Sequence, residues 1–538
     1  MQKASLKIAL VCYSEQSLQP WMVRLAERIF TTDRLDLVAL IERNQTPSPA
    51  DMSLTHRLWW QLESKLVAKP LVTETPHFDE VRRALPVLSC NDEPGIDALG
   101  ADVIIDLTCW QGSRVLPTAS THGVWFLNFL TEAAGSTSIR AIADNAPFYE
   151  VKLCRTTAEG DAPTQVSSAV LNLKLFASLQ HLFMCEKAVT LIVRELNRIK
   201  LTGMTHEEGA ADLQSPDRPG LWTMSRYAFG FLRRAATRFI EVQASKLHFR
   251  PGEFFLKTSK TDMLTVDPAT MQEHHSTANG YFADPFLWER DGEMFCFFEV
   301  YNYAKDTGYI AVGRLVDGAL IDIKPALETD YHMSFPFLFE GDDGTLFMMP
   351  EVCSQKRIET WKCTAFPHQW ERVQTVMDDV IAADSSLVKI QDEWWLFTNM
   401  SNDPFGEMSS ELHIYKVDGP GMSELTPHPL NPVVFDTRTA RNGGRVICSN
   451  GSYYRMSQDN SRGLYGYGVN AMKIETISMD AYEETLTRKI EPDFQSGIIG
   501  SHHMDSRAGM VVMDVRKRVG GFRLRSSEKP QKLPRHSF

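Results

Sequence analysis

Five stretches of this chain are versions of one another, and that repetition limits the fold more than any other feature. "ADPFLWERDGEMFCFFE" starts at Ala283, "SFPFLFEGDDGTLFMMPE" at Ser334, "ADSSLVKIQDEWWLFTN" at Ala383 and "ARNGGRVICSNGSYYRMSQ" at Ala440. A weaker copy, "GSHHMDSRAGMVVMDV", starts at Gly500, so the steps are 51, 49, 57 and 60 residues. Each copy holds a short entry motif, an apolar strand, a turn near Gly, Asp or Asn, and a second apolar strand. A further strand follows each of the first three: "GYIAVGRLV", "RIETWKC" and "ELHIYKV". Three or four strands per unit of about 50 residues is the pattern of propeller blades. The spacing predicts an all-β five-bladed propeller over 251–525, with "GEFFLKTS" (Gly252 to Ser259) completing the last blade and closing the ring.

A ring carries equivalent residues to one axis. The innermost strand of a blade runs along the central channel, so the entry motifs converge at its mouth. Asp284 and Asp384 occupy the same place in two "AD" entries. Arg441 is read at the matching place in the fourth copy, with His502 and His503 near it in the fifth. Glu299 and Glu351 end the second strands of neighbouring blades. Carboxylates buried together are costly unless cations or a polyhydroxylated ligand share the site. The candidate catalytic residues are therefore Asp284, Glu299, Glu351 and Asp384. The candidate substrate-binding residues are His332, Arg441, Arg455, Gln458, Asp459 and His502. A structural reading stands beside this one: an Asp before Pro can bond its own backbone in a turn, and Glu299 and Glu351 can be surface strand ends. Phe297, Trp394 and Phe397 are expected in the core between blades. No metal site is expected, because adjacent strand residues such as His502 and His503 point apart.

Ahead of the ring, "LKIALVCY" (Leu6 to Tyr13) is an unbroken apolar run, as a strand buried on both faces requires. "LDLVALIERN", "GADVIIDLTC" and "GVWFLNF" repeat that character, with helical spacing between them (Trp21, Leu25, Ile29). This predicts a parallel sheet with helices on both faces over 1–200. The first strand–helix junction, "CYSEQSLQP", lacks the GxGxxG loop of a dinucleotide site. A linker over 201–250 carries a helical stretch from Leu221 with Arg226, Arg233, Arg234, Arg238 and Lys246 against one acid, Glu241. That composition suits a helix at an anionic membrane over 221–248, or one packed between domains. Residues 526–538 read as a polar tail.

The formal net charge of −12 argues against bulk attraction to nucleic acid. Nine cysteines without a CxxC pair argue against structural zinc and for reduced thiols. The N-terminus does not read as a signal peptide, and no 18-residue uncharged apolar run appears. A cytoplasmic, membrane-peripheral protein is the expectation, with no cofactor.

Three resemblances add to this. The order of strands and helices with "ADVIIDLT…LPTASTHGVWFLNF" resembles the formyltransferase fold over about residues 6–150. That family uses an Asn-x-His pair and a later Asp. Here Phe126 stands at the Asn position, Asn128 at the His position, and Asp144 is the candidate for the later acid, so the resemblance implies a degenerate catalytic motif. The "ADPF" entry resembles five-bladed arabinanase- and fructosidase-type glycoside hydrolases, which place three carboxyl groups around a sugar. Asp284 matches the first, Phe335 stands where the second would be, and Asp384, followed by Ser385, replaces the third. "YFADPFL…FFE", "HMSFPFLF…MMPE", "HPLNPVVFDTRTARNGG" and "YYRMSQDNSRGLYGYGV" are similar to the propeller at the N-terminus of the glucosamine inositolphosphorylceramide transferase family, and to bacterial proteins that join it to a formyltransferase-like domain.

The last resemblance implies surface polysaccharide or glycolipid assembly, by glycosyl transfer at the propeller axis from a nucleotide-sugar donor. In that reading Asp284 or Glu351 deprotonates the acceptor hydroxyl, Arg441 and Arg455 balance the donor phosphate, and Gln458 and Asp459 orient sugar hydroxyls. A glycoside hydrolase with a rearranged carboxylate set and a non-catalytic glycan-binding scaffold remain the alternatives.

Overall fold

The computed structural model describes residues 5–13, 18–43, 53–67, 83, 85–108, 120–130, 135–157, 162–213, 219–246, 252–276 and 280–518. The tail over 526–538 lies outside them.

The first body is an eight-stranded sheet. Its elements are β1 (Leu6–Cys12), α1 (Pro20–Thr31), β2 (Leu35–Glu42), α2 (Leu54–Leu66), β3 (Val87–Ser89), α3 (Glu93–Leu99), β4 (Val103–Asp106), β5 (Val124–Leu127), α4 (Ser136–Ala143), β6 (Tyr149–Thr156), β7 (Thr164–Leu171), α5 (Ala177–Thr202) and β8 (Gly209–Ala210). The strand order is β3-β2-β1-β4-β5-β6-β7-β8. Alternate residues of β1 serve opposite faces: Leu6, Ile8 and Leu10 join the core under α1 and α5, whereas Ala9 and Val11 pack with Ile96 of α3. An unbroken apolar strand is what such two-sided burial demands. The sheet is mixed rather than all-parallel. β1 to β5 pair in parallel, and β6, β7 and β8 are antiparallel. The short connection between β6 and β7 permits a hairpin but no crossover, which makes that pair antiparallel; the β5–β6 pair is antiparallel across a helical connection.

The linker helix is α6 (Leu221–Lys246). It packs on the first body: the Tyr227 hydroxyl donates to Glu63 of α2 and accepts from the Ala177 N–H of α5.

The second body is a five-bladed β-propeller. Blade 1 runs from Gly280–Arg290 through Glu293–Asn302 and Thr307–Val316 to Ala319–Leu327. Blade 2 follows over Ser334–Glu340, Leu346–Glu351, Arg357–Ala365 and Gln369–Asp378. Blade 3 uses Ala382–Ile390, Glu393–Met400, Glu411–Val417 and Leu425–Pro427, and blade 4 uses Asn442–Ser449, Ser452–Asp459, Gly468–Ile477 and Tyr482–Ile490. Blade 5 is composite. Its inner strands Met504–Arg507 and Met510–Arg518 are completed by Gly252–Ser259 and Gln272–His274. Val511 pairs with Ser259 and Arg518 with Gly252, so the start of the propeller sequence closes the ring on its end. Phe297 and Phe397 are fully buried in the inter-blade core, and Trp394 packs against it half-buried.

The two bodies meet along α5, whose flank carries charge where most buried helices carry none. Lys187 is fully buried, with its Nζ 2.7 Å from both Asp403 and Glu411 and 3.3 Å from Glu407. Burial alone would lower its pKa, but the three carboxylates outweigh that and raise it. Arg194 donates to the Pro432 carbonyl, and the Thr437 N–H of the propeller donates to Val170 of β7. The described cysteines are all free thiols.

Candidate functional site

The inner strands of the first three blades share one irregularity. In blade 1, Ala283 pairs with Glu299 and then Phe286 with Phe297, so three steps oppose two and one residue is extra. Ser334/Glu351 to Phe337/Met349 and Ala383/Asn399 to Ser386/Phe397 repeat it. The residue after each entry position takes a left-handed backbone: Asp284 at φ 50, Phe335 at φ 45 and Asp384 at φ 48. Non-glycine residues hold that conformation only where surrounding structure enforces it. The bulge re-aims these side chains toward the neighbouring blades at the axis.

Register corrects the expected equivalence of Arg441. Asn442 pairs with Ser457, the position of Ala283 opposite Glu299, and the next pair is Val446 with Arg455. The fourth copy therefore holds two extra residues, with Gly444 at φ 142, and Arg441 precedes the strand. Its guanidinium nevertheless reaches the axis, 2.6 Å from Asp384 and 3.6 Å from Glu351.

The neighbouring blades supply the partners. Asp284 accepts from the Phe335 N–H at 3.2 Å, and its own N–H donates to Asp514 at 3.2 Å. The Asp384 N–H donates to Glu351 at 3.3 Å, and the Asn442 N–H to Asn399 at 2.8 Å. A side chain ending one blade's second strand thus caps the bulge of the next. Glu299 breaks the pattern. Its Oε1 is buried without a hydrogen-bond partner, and His332 Nε2 lies 3.8 Å away. Gln458 donates to Asp384 at 3.1 Å and to the Asn442 carbonyl, which fixes the carboxylate from a second side.

His502 sits between two acids. Its Nδ1 is 2.5 Å from Asp514, close in distance but off the ring's N–H axis, and its Nε2 is 3.5 Å from Asp284. Phe254 stacks on the ring at 4.7 Å, and Tyr465 meets its edge at 5.2 Å. His502 and His503 do not point apart as strand neighbours would. Both lie in the break before Met504, both backbone N–H groups donate to Asp514, and His503 Nδ1 also approaches Asp284, at 3.7 Å. The His503 ring is wedged edge-on against Phe286 and Phe335, with neither nitrogen hydrogen-bonded.

Burial sets the protonation. It pushes Asp284 up to about 7; the His502 charge opposes this, while Asp384 and Asp514 reinforce it. Glu299 is raised well above the usual carboxyl range by burial and by the charges of Asp284 and Glu351. Burial and Asp384 raise Glu351 as well, against Arg441. His502 is raised: burial opposes its charge, but Asp514 and Asp284 favour it more. His503, buried among rings, is lowered to about 4. Burial thus disfavours the charged forms of Asp284, Glu299 and Glu351 at the axis, His502 is drawn toward its charged form by the acids beside it, and Arg441 pairs with Asp384.

Two candidates stand apart. Arg455 is fully buried with both its edges taken, by Glu484 at 2.8 and 2.5 Å and by the carbonyls of Thr439 and Ala440. It holds blade 4 together and has no donor left for a phosphate. Asp459 accepts from the Ser461 N–H and pairs with Lys489 of the outermost strand at 2.9 Å, away from the carboxyl cluster. His332 is at the rim, half-exposed, accepting from the Gly308 N–H.

Sequence reasoning missed Asp514 and the tyrosines. Asp514 ends the second strand of the fifth copy, the place Glu299 and Glu351 hold in theirs, so the same alignment contains it. Tyr281 and Tyr301 stack face to face at 5.0 Å beside Glu299, and Tyr303 meets both edge-on. They form a half-buried aromatic surface beside the buried Glu299 carboxyl. The signal was "VYNY", aromatic residues two apart at a strand end.

Among solved structures, the chain is similar to an α-L-arabinofuranosidase from Lactobacillus brevis (14% identity, 43% of this chain and 81% of that one, TM-score 0.33). It is also similar to a glycosyl hydrolase from Bacteroides ovatus (10% identity, 47% and 88%, TM-score 0.33). Among curated proteins it is similar to glucosamine inositolphosphorylceramide transferase 1 of Oryza sativa subsp. japonica, at 35% identity over 210 residues. The Arabidopsis thaliana protein of the same name is 30% identical over 210 residues. Those 210 residues are 38% of this chain and 28% of the rice protein, so the chain spans under a third of the relatives it matches. The matching family model is that of glucosamine inositolphosphorylceramide transferase 1, N-terminal, over residues 263–505, which covers the axial carboxyl cluster apart from Asp514.

Proposed function

We propose that the propeller axis binds a sugar and carries out glycosyl transfer to a glycan or glycolipid acceptor. The observation that carries this is the buried cluster of Asp284, Glu299 and Glu351, all raised toward their protonated forms, beside the Asp384–Arg441 pair. A carboxyl group raised to about 7 can both take and give a proton near neutral pH, and raised neighbours can serve as acids. The rice and Arabidopsis relatives are named as glucosamine transferases, which supports transfer over simple binding.

In this reading the ionised fraction of Asp284 takes the proton of the acceptor hydroxyl as its oxygen attacks the anomeric carbon. Glu351, raised by burial and 3.6 Å from Arg441, serves as the acid that hydrogen-bonds the departing oxygen, and Arg441 offsets the charge that develops there. Glu299 Oε1, without a partner, accepts from a sugar hydroxyl, and the Tyr281/Tyr301 pair packs on the ring face. His502, held by Asp514, keeps Asp284 from being fully protonated.

The first body is read as formyltransferase-like in form and as a scaffold in role. What supports the second part is local. Phe126 is fully buried, and Asn128 donates its amide N–H to the Glu150 carbonyl and accepts from the Lys152 N–H at its side-chain oxygen, where a proton-moving imidazole would be needed. Asp144 is exposed and paired with Arg226.

The test is turnover of a panel of nucleotide-sugars with and without glycolipid acceptors. Acceptor-dependent release of nucleotide is expected, and Asp284→Asn should slow it about 10²–10⁴-fold while sugar affinity holds. Sugar release from glycans without any activated donor would replace transfer with hydrolysis. Full activity in folded Asp284→Asn and Glu351→Gln variants would remove catalysis from the axis.

A further inference from the structure

We infer that the outer face of α6, with the neighbouring face of α2, docks on an anionic lipid bilayer surface. The two helices are pinned together from inside. Glu63 of α2 accepts from Trp59 at 2.6 Å, from the Tyr227 hydroxyl of α6 and from the Ser178 N–H of α5 at 3.1 Å. Trp59 meets Tyr227 and Phe231 edge-on at 5.9 and 6.1 Å. Once Met224 and Tyr227 are spent on this inner contact, a helix of a globular protein should turn polar side chains outward. α6 does not. Trp222 and Phe229, seven residues apart and so on one side of the helix, are 75% and 71% exposed, and Leu232 beside them is 61% exposed. On α2 the same holds for Leu54, Leu58 and Leu62, spaced by four residues along a single stripe.

Charge selects the occupant. The chain carries a formal net charge of −12, yet α6 carries five basic residues, Arg226 and Arg233 among them, against Glu241 alone. Arg226 and Arg233 fall on the same side as Trp222 and Phe229, and Arg57 and Lys65 flank the α2 stripe. Arg226 is shared with Asp144 at 2.8 Å, both partners exposed. In a symmetric pair the same basic face would meet itself and repel, whereas large apolar and aromatic side chains interleaved with arginine are what the headgroup region of an anionic bilayer accepts. No helix among the described residues is long and apolar enough to cross a membrane, so the contact is with the surface. This inference stands on the exposed faces and does not depend on the sugar site.

The test is co-sedimentation of the full chain with vesicles of phosphatidylcholine alone or mixed with anionic phosphatidylglycerol. Binding is expected to the anionic vesicles and to weaken with added salt. The paired substitution Trp222→Ser, Phe229→Ser should weaken it about tenfold or more, and Arg233→Gln should flatten the salt dependence. Both variants should keep the wild-type Tm and sugar affinity, so failure here is separable from failure at the axis. No wild-type binding to anionic vesicles, or unchanged binding by the double variant, overturns the inference. So does a light-scattering mass of two chains that the double substitution halves, since the face would then join copies of this chain.

Discussion

Asp284 is a residue whose proposed role and contribution to stability pull in opposite directions. Its folded pKa of about 7 lies far above the ordinary 3.8, so the folded state keeps a proton that the unfolded chain releases. Between those values the folded state binds more protons, and stability falls as pH rises through the window. Asp284→Asn keeps an acceptor for the Phe335 N–H and removes the buried charge. It should stabilise the protein by about 1–3 kcal/mol at about pH 8 and by nearly nothing at about pH 4, read by urea unfolding at both. An equal change at both values would mean the carboxyl is not held as described. Gly308 offers a second residue-scale check. A Cβ there would stand 2.6 Å from Glu299 Oε1 and 2.8 Å from the His332 ring. Gly308→Ala should weaken sugar affinity about tenfold with little loss of Tm, measured by calorimetric titration beside thermal unfolding. At this scale the sequence was half-legible. Asp284, Glu299, Glu351 and Asp384 declare themselves by alignment of the copies. Arg455 and Asp459 do not reveal that their bonds are already taken, because Glu484 and Lys489 come from strands that the repeat alignment never compared.

The elements show where periodicity stops informing. Blade-like repeats are readable because a strand, turn and strand leave apolar runs at fixed offsets. A bulge leaves no such trace, and the two-residue excess in blade 4 shifted Arg441 out of its apparent register. The mixed sheet of the first body escaped for a similar reason. Buried strands look alike whether their neighbour runs parallel or antiparallel; the short β6–β7 connection marks one antiparallel pair, and the β5–β6 pair carries no such mark. The closing strand Gly252–Ser259 carries a testable burden. Leu256 pairs with Asp514 on one side and His274 on the other. Leu256→Pro would remove a donor from a strand paired on both edges and should cost about 3 kcal/mol or more. Because Asp514 positions His502 and the Asp284 backbone, sugar affinity should fall in the fraction that still folds. Wild-type affinity in that variant would show that blade closure and the axial site are independent.

Across the whole molecule, the two bodies are locked by buried charge rather than by apolar packing alone, and nothing in the separate domain patterns announces it. Lys187 reads as one more polar residue on a long helix; its three carboxylate partners lie more than two hundred residues further on. Replacing one member of a buried ion cluster is costly because the others stay charged and unpaired. Lys187→Met keeps the length and apolar stem but strands Asp403, Glu407 and Glu411, and should cost about 3–5 kcal/mol near neutral pH. The pH dependence has a definite sign. Burial works to raise Glu411, but Lys187 more than compensates and depresses it to about 2, so its stabilisation is present above the ordinary 4.5 and lost as pH falls toward 2. The gap between Lys187→Met and wild type should therefore narrow on acidification through that window. Thermal unfolding against pH reads the gap, and limited proteolysis at the 401–411 connection reads whether the bodies have parted. A constant gap down to about pH 2 would place the cost in lost packing and not in the ion cluster.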